Sequence, residues 1–147
     1  MSHYLWILNE KISLLAGVRE SLVKIANIGD TIFALTDGNN LLKGSVQNSN
    51  DVQKELILNV VDNLKLVDID AYKEYLYIID TEGNVFMCNE QVEILHELHF
   101  IEQSKCPCGH PEIKQRVKIK SLAVGSFGKL FISTNNQLWG CGYMPQV

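Results

Sequence analysis

The chain has 147 residues, 46% hydrophobic and 20% charged, with a formal net charge of -4. This is the composition of an ordinary globular domain able to bury a core, and a sequence pI near 5.5 argues against nucleic-acid binding, which needs a basic face toward phosphate. No apolar run approaches the roughly 20 residues of a membrane span, and the N-terminus lacks the three-part pattern of a signal peptide, so a cytoplasmic protein is expected, with the nucleus as an alternative.

The first predicted element is Tyr4 to Leu8, a short apolar strand suited to helping close a ring of sheets. Val23 to Leu42 follows, with a grammar that recurs twice. A β-like stretch leads into a small or polar turn, an apolar strand follows, then a polar turn, then a second apolar strand. Leu66 to Phe86 repeats it, and Ile119 to Gly140 repeats it again. The polar turns are Thr36 to Asn40, Asp80 to Asn84, and Ser133 to Asn136. Gly, Asn and Asp suit such turns because they tolerate positive φ or bond their own backbone.

Between the copies the chain is less regular. Lys43 to Asn63 begins polar and becomes strand-like at Leu56 to Val61. Gln91 to Phe100 carries apolar residues at Val92, Ile94, Leu95 and Leu98, which fit either an edge strand or one helical turn. Ser104 to Gln115 is a loop punctuated by Pro107, Gly109 and Pro111. Aligning the copies on Leu42, Phe86 and Trp139 gives spacings of 44 and 53 residues, the length of a propeller blade. The expected fold class is all-β, with one propeller region over residues 1–147 and repeats at approximately 20–63, 64–116 and 117–147.

The third copy carries the most specific motif. Leu122 to Ile132, followed by Leu138-Trp139-Gly140-Cys141-Gly142-Tyr143-Met144-Pro145-Gln146-Val147, resembles a repeat of the regulator of chromosome condensation (RCC) family. Gly125 matches the family's first glycine, Trp139-Gly140 its Trp-Gly pair, and Gln146-Val147 its closing segment. Gly128 stands where the family has histidine, Gly142 replaces asparagine, and Pro145 replaces glycine. The first two copies keep the strand pattern without the Trp-Gly pair, so they are divergent repeats. The resemblance implies an RCC-type β-propeller, in which a complete ring has seven blades. About three blades are present, and the chain is expected to be an N-terminal part of a larger propeller.

No residue is assigned a catalytic, cofactor-binding or metal-binding role. Cys106-Pro107-Cys108-Gly109-His110 holds soft ligands that suit zinc, with Cys88, Cys141, His96 or His99 as a further ligand. One residue between the cysteines is fewer than structural sites use, so the cluster is read as an inter-blade loop. His96 and His99 would share one face if helical, beside Glu93, Glu97 and Glu102, and are read as a solvated segment. The four cysteines, Cys88, Cys106, Cys108 and Cys141, are expected to be reduced thiols. No nucleophile-elbow or phosphate-loop motif occurs. The acidic residues are scattered at turns and strand ends, as on a solvated surface. Phe33, Tyr75, Tyr77, Phe86, Phe131 and Trp139 are expected to pack between blades. Tyr72 and Phe127, in the turns before the core strands, are expected to be partly exposed and open to a partner.

These readings point to binding, not side-chain chemistry. The expected function is a protein-protein interaction scaffold within a larger regulatory protein. The resemblance also implies an alternative, a guanine nucleotide exchange factor, or part of one, for a small GTPase. A chromatin-binding propeller fits the acidic balance poorly. No cofactor is expected, and the expected partner is a protein, not a nucleic acid.

Overall fold

The computed structural model describes residues 5–7, 10–12, 20–48, 54–104 and 113–141. They form only β-structure. A hairpin of β1 (Leu5–Ile7) and β2 (Glu10–Ile12) opens the chain. Then come β3 (Leu22–Ile28), β4 (Thr31–Thr36), β5 (Asn40–Asn48), β6 (Lys54–Tyr72), β7 (Tyr75–Asp80), β8 (Val85–Cys88) and β9 (Ile94–Leu98), in one seven-stranded antiparallel order. A second hairpin joins β10 (Ile101–Ser104) to β11 (Ile113–Arg116). A three-stranded sheet of β12 (Ile119–Gly125), β13 (Gly128–Ser133) and β14 (Leu138–Cys141) follows.

The seven-stranded order is two blades sharing one long strand. The first part of β6 pairs with β5 from Lys54 to Val60, and its second part pairs with β7 from Leu66 to Tyr72. Between them the backbone turns at Asn63, which has φ 60. β6 is therefore the outer strand of blade 1 and the inner strand of blade 2. Blade 3 is the sheet of β12, β13 and β14.

The three blades share one pairing register. Each inner strand has a bulge at its start, between Leu22 and Lys24, Leu66 and Asp68, and Ile119 and Ser121. Leu42 pairs with Ala34, Phe86 with Ile78, and Trp139 with Phe131. The alignment on Leu42, Phe86 and Trp139 is thus the structural one.

The polar turns share one chemistry. Asn39, Gly83 and Asn136 hold positive φ of 64, 84 and 66. Their N–H groups donate to the carbonyls of Thr36, Asp80 and Ser133 at 3.0, 3.1 and 2.9 Å. The side chains of Thr36, Asp80 and Ser133 then accept the N–H four residues on, at 3.1, 2.8 and 2.9 Å. This is the three-residue hairpin loop closed by a left-handed residue. A fourth copy, from Asn89 to Glu93, places Val92 at φ 63 and leaves its side chain half-buried against the core.

Two apolar layers hold the blades together. Ala26, Ile28, Phe33, Leu35 and Leu41 on the front of blade 1 meet Leu66, Ile69, Leu76, Ile78 and Cys88 on the back of blade 2. Tyr77, Ile79 and Val85 on the front of blade 2 meet Ile119, Leu122 and Phe131 of blade 3. Burial of such side chains, roughly 1.5–3 kcal/mol each, is the main force joining the blades. Backbone bonds set the register of each join: the Asn39 carbonyl accepts from Leu66 N at 2.9 Å, and the Gly83 carbonyl from Ile119 N at 3.0 Å.

Several sequence expectations are refined or corrected. Gln91 to Phe100 contains an edge strand, not a helical turn, because its apolar residues extend the sheet beside β8. The stretch after Lys43 is strand as far as Asn48, drawn into pairing by β6. The loop from Ser104 to Gln115 is shorter than expected, since Ser104 pairs with Ile113 and Glu102 with Gln115. Tyr75 starts a hairpin and is 38% exposed, so it does not pack between blades. Phe33, Tyr77 and Phe131 are buried there, while Phe86 and Trp139 are half-buried. Leu5 to Ile7 is a strand, and its hairpin partner is β2; Tyr4 and Leu8 lie outside the described residues.

Candidate partner-binding site

The turns joining each inner strand to the next line up along one end of the blades. They are Gly29-Asp30, Lys73-Glu74 and Ser126-Phe127. Between the second and third lies a cleft of about 210 Å³, lined by Tyr72, Tyr77, Val124, Gly125, Ser126, Phe127, Gly128 and Lys129. The volume suits a protruding side chain and falls short of the roughly 300 Å³ at which metabolite pockets begin. Both residues singled out from sequence, Tyr72 and Phe127, meet here. Phe127 is 48% exposed and Tyr72 half-buried.

The glycines around the cleft have physical causes. A Cβ on Gly125 would stand 2.9 Å from Cε1 of Phe127, so the bare backbone lets that ring fold back over it. Gly128 has φ 129, a conformation closed to most side chains, which accounts for glycine where the RCC family has histidine.

Tyr72, Tyr77 and Phe127 make the lining aromatic and Lys129 makes it cationic, with Lys73 next to Tyr72 just outside it. The Lys129 ammonium lies 5.5 Å from the Tyr77 ring centroid and the Lys73 ammonium 5.4 Å from that of Tyr72, within cation-π range. Among the described residues neither ammonium has a carboxylate partner. Sequence reading missed Tyr77, Lys73 and Lys129 as site residues; their signal was the strand alternation that turns Tyr77 and Lys129 toward the join.

Behind the cleft, the inner strands are tied by two carboxylates. Asp68 Oδ2 accepts the Leu122 N–H and Asp70 Oδ2 the Val124 N–H, both at 2.9 Å. Asp68 Oδ1 accepts from Lys24 Nζ at 2.8 Å and from its neighbour Ile69 N at 2.9 Å. Asp68 is only 8% exposed, which corrects the reading of the acidic residues as a wholly solvated set.

The other sequence candidates do not converge. His96, on β9, and His99, just beyond it, are exposed, and strand geometry removes the shared face that helical spacing would create. Cys88 is buried and Cys141 exposed. Among the described residues no group of three His, Cys, Asp or Glu is arranged to hold a metal. Cys106, Cys108 and His110 lie outside the described residues, as do Gly142, Pro145, Gln146 and Val147 of the RCC-like motif. Of that motif, Trp139 meets Phe100 edge-on at 6.0 Å, and Phe100 meets Phe131 at 4.7 Å. No helix among the described residues is long and apolar enough to cross a membrane.

Repeated antiparallel blades, tied through their inner strands and packed front to back, give this chain the fold of repeat β-propeller blades. Its structure is similar to that of human WBSCR16, with a TM-score of 0.54 and 14% identity, covering 95% of this chain and 39% of that one. This chain therefore spans about two-fifths of that protein, and at this identity the likeness shows the fold alone. The structure of Kap60 bound to yeast RCC1 (Prp20) also matches, with a TM-score of 0.41 and 20% identity over 84% of this chain and 33% of that one, an overlap on which no argument rests. No protein-family model matches the sequence, and no curated protein does.

Proposed function

We propose that this chain is a protein-interaction scaffold of RCC-like propeller type that acts by binding, without side-chain chemistry of its own, in the cytoplasm. The cleft between blades 2 and 3 carries this reading. It presents Phe127 and Tyr72 beside two ammonium groups without carboxylate partners. Exposed aromatic side chains are enriched at protein-binding surfaces, and charges beside them select a partner of complementary sign. The surface fits a protein loop that brings an apolar side chain flanked by carboxylates. The resemblance of Leu122 to Gly140 to RCC repeats supports a finer version, in which the partner is a small GTPase and the chain is part of an exchange factor.

Affinity capture with the chain, run in magnesium and again in EDTA, tests both versions. EDTA strips nucleotide from small GTPases. Capture of a GTPase in EDTA alone supports the exchange-factor version; an identical set of proteins in both conditions, with no GTPase, supports the scaffold. In either case Phe127→Ser is expected to lower capture roughly ten-fold, the loss of one buried aromatic contact. Equal capture by that variant would remove the cleft from the reading.

A further inference from the structure

The cleft between blades 2 and 3 holds more hydrogen-bonding capacity than the fold uses. Tyr77 lines it and is only 4% exposed. Its ring packs in the apolar layer with Ile79, Val85 and Ile119. Its hydroxyl is not sealed in, and it makes no hydrogen bond with any described residue. Polar groups buried this deeply are nearly always paired, so an unpartnered phenol at the wall of a cleft marks a place for a ligand atom. The Ser126 hydroxyl, on the same lining, also makes no hydrogen bond with a described residue. The third polar group is the Lys129 ammonium, held over the Tyr77 ring. Both walls are described residues of two packed blades, tied by Asp68 to Leu122 and by Asp70 to Val124. The opening therefore belongs to a completed join.

The lining sets the chemistry of the ligand. An ammonium only donates, and each hydroxyl has a proton to give. No carboxylate lines the cleft among the described residues. Asp70, the cross-strand partner of Tyr77, turns its oxygens to the Val124 and Ala71 N–H groups, both at 2.9 Å. The complement of three donors is a group that only accepts, and an ionised carboxylate is the side-chain group of that kind. One ammonium in the lining balances one negative charge, which favours a carboxylate over a doubly charged phosphate. Tyr72, Val124 and Phe127 supply apolar wall for a methylene stem. A volume of about 210 Å³ admits one such side chain with its backbone outside.

We propose that the cleft is a carboxylate-reading pocket for one glutamate side chain on a partner's loop. The carboxylate accepts from the Tyr77 and Ser126 hydroxyls and pairs with the Lys129 ammonium. Its stem lies against the rings of Tyr72 and Phe127. Hydrogen bonds to an ionised acceptor are the strong ones, so Tyr77 and Lys129 determine specificity while Phe127 supplies contact area. The proposal rests on the protein-binding reading of the cleft and names the group that the cleft recognises.

The probe is the peptide acetyl-Gly-Phe-Glu-Phe-Gly-amide, titrated into the isotope-labelled full chain and followed by NMR. Saturable shifts are expected at residues 72–77 and 124–129, and glutamine in place of the peptide's glutamate is expected to weaken binding roughly ten-fold. Tyr77→Phe removes one oxygen and keeps the ring in the core. It is expected to weaken the glutamate peptide about ten-fold and to leave the glutamine peptide unchanged, the signature of a direct coupling. Lys129→Met is expected to act likewise and to flatten the salt dependence. A glutamine peptide with a free C-terminal carboxylate, and a peptide with phosphotyrosine in place of glutamate, are expected to bind more weakly than the probe. Absence of saturable shifts at those residues, equal binding of the glutamate and glutamine peptides, or tighter binding of either alternative peptide overturns the proposal. So does an equal loss of both peptides in Tyr77→Phe. Affinity capture by Phe127→Ser reports on the cleft separately. A variant that loses its captured proteins while the two peptides bind alike leaves the cleft as a binding site and sinks only its carboxylate chemistry.

Discussion

The carboxylate of Asp68 accepts the backbone N–H of Leu122 at 2.9 Å across the join of blades 2 and 3. Its other oxygen faces the Lys24 ammonium of blade 1 at 2.8 Å, so one buried side chain ties three inner strands together. Both oxygens face donors only. Asp68→Asn would point an amide N–H₂ at one of them and remove the charge that holds the other. The expected cost is about 2–3 kcal/mol, seen as a lower urea midpoint. Lys24 is one-third exposed at its side chain, so Lys24→Met is expected to cost only about 1 kcal/mol. Equal effects of the two variants would mean that the ion pair, not the Leu122 bond, holds the join.

Gly29 and Gly83 separate backbone strain from close approach. Both have positive φ, 55 and 84. A Cβ at Gly29 meets nothing within 4 Å, whereas one at Gly83 would stand 2.8 Å from Cβ of Lys118 and 3.3 Å from the Ile119 nitrogen. Gly29→Ala is therefore expected to cost about 1 kcal/mol, the conformational term alone. Gly83→Ala adds a clash at the start of blade 3, for about 2–3 kcal/mol in total. Thermal melts of the two variants test the ordering.

The blade grammar was legible because it is written in local chemistry. The turns carry Asn or Gly at the left-handed position and Thr, Asp or Ser at the capping one, and the core strands between them are apolar. Long-range features had no such signature. The continuity of β6 depends on Asn63 adopting positive φ inside a strand, which an Asn alone does not announce. Asp68 looked like a surface carboxylate because its partners, Lys24 and Leu122, lie 44 and 54 residues away. Of the cleft, Tyr72 and Phe127 were visible as aromatic residues in turns. Lys129 was not, since only the packing of blade 2 on blade 3 brings its ammonium over the Tyr77 ring.

Glu20 predicts a pH dependence. The Thr36 hydroxyl donates to its carboxylate, and Asn40 Nδ2 does so at 2.9 and 3.0 Å. These bonds, the Thr36 one first, then Asn40, with a smaller effect of the Lys65 charge, hold the Glu20 carboxyl below its ordinary value. A folded-state value below the unfolded one means stability that is present above the unfolded value and lost as pH falls through the folded one. Glu20→Gln is therefore expected to be less stable than the parent at about pH 7, with the gap closing as pH falls below the ordinary carboxylate range and the carboxyl takes up its proton. Urea melts across that range test it; a gap independent of pH would show that the Glu20 charge is not involved.

Cys88 predicts the opposite dependence at alkaline pH. It sits in the core between blades 1 and 2, and burial pushes its thiol up to about 11. In the unfolded chain it ionises near 8.5. The raised value means stability that is fully present below the unfolded value and lost as pH rises toward 11. Cys141, by contrast, is exposed. Under native conditions at about pH 8, iodoacetamide is expected to modify Cys141 and to leave Cys88 untouched until denaturant is added, because the thiolate is the reacting species. Mass spectrometry of the labelled peptides reads both sites in one experiment. Cys88→Val keeps the packing and removes the titrating group, so the alkaline loss of stability should shrink in that variant. Labelling of Cys88 at the rate of Cys141 in folded protein would mean that the join between blades 1 and 2 opens readily, and that its apolar layer is weaker than its burial implies.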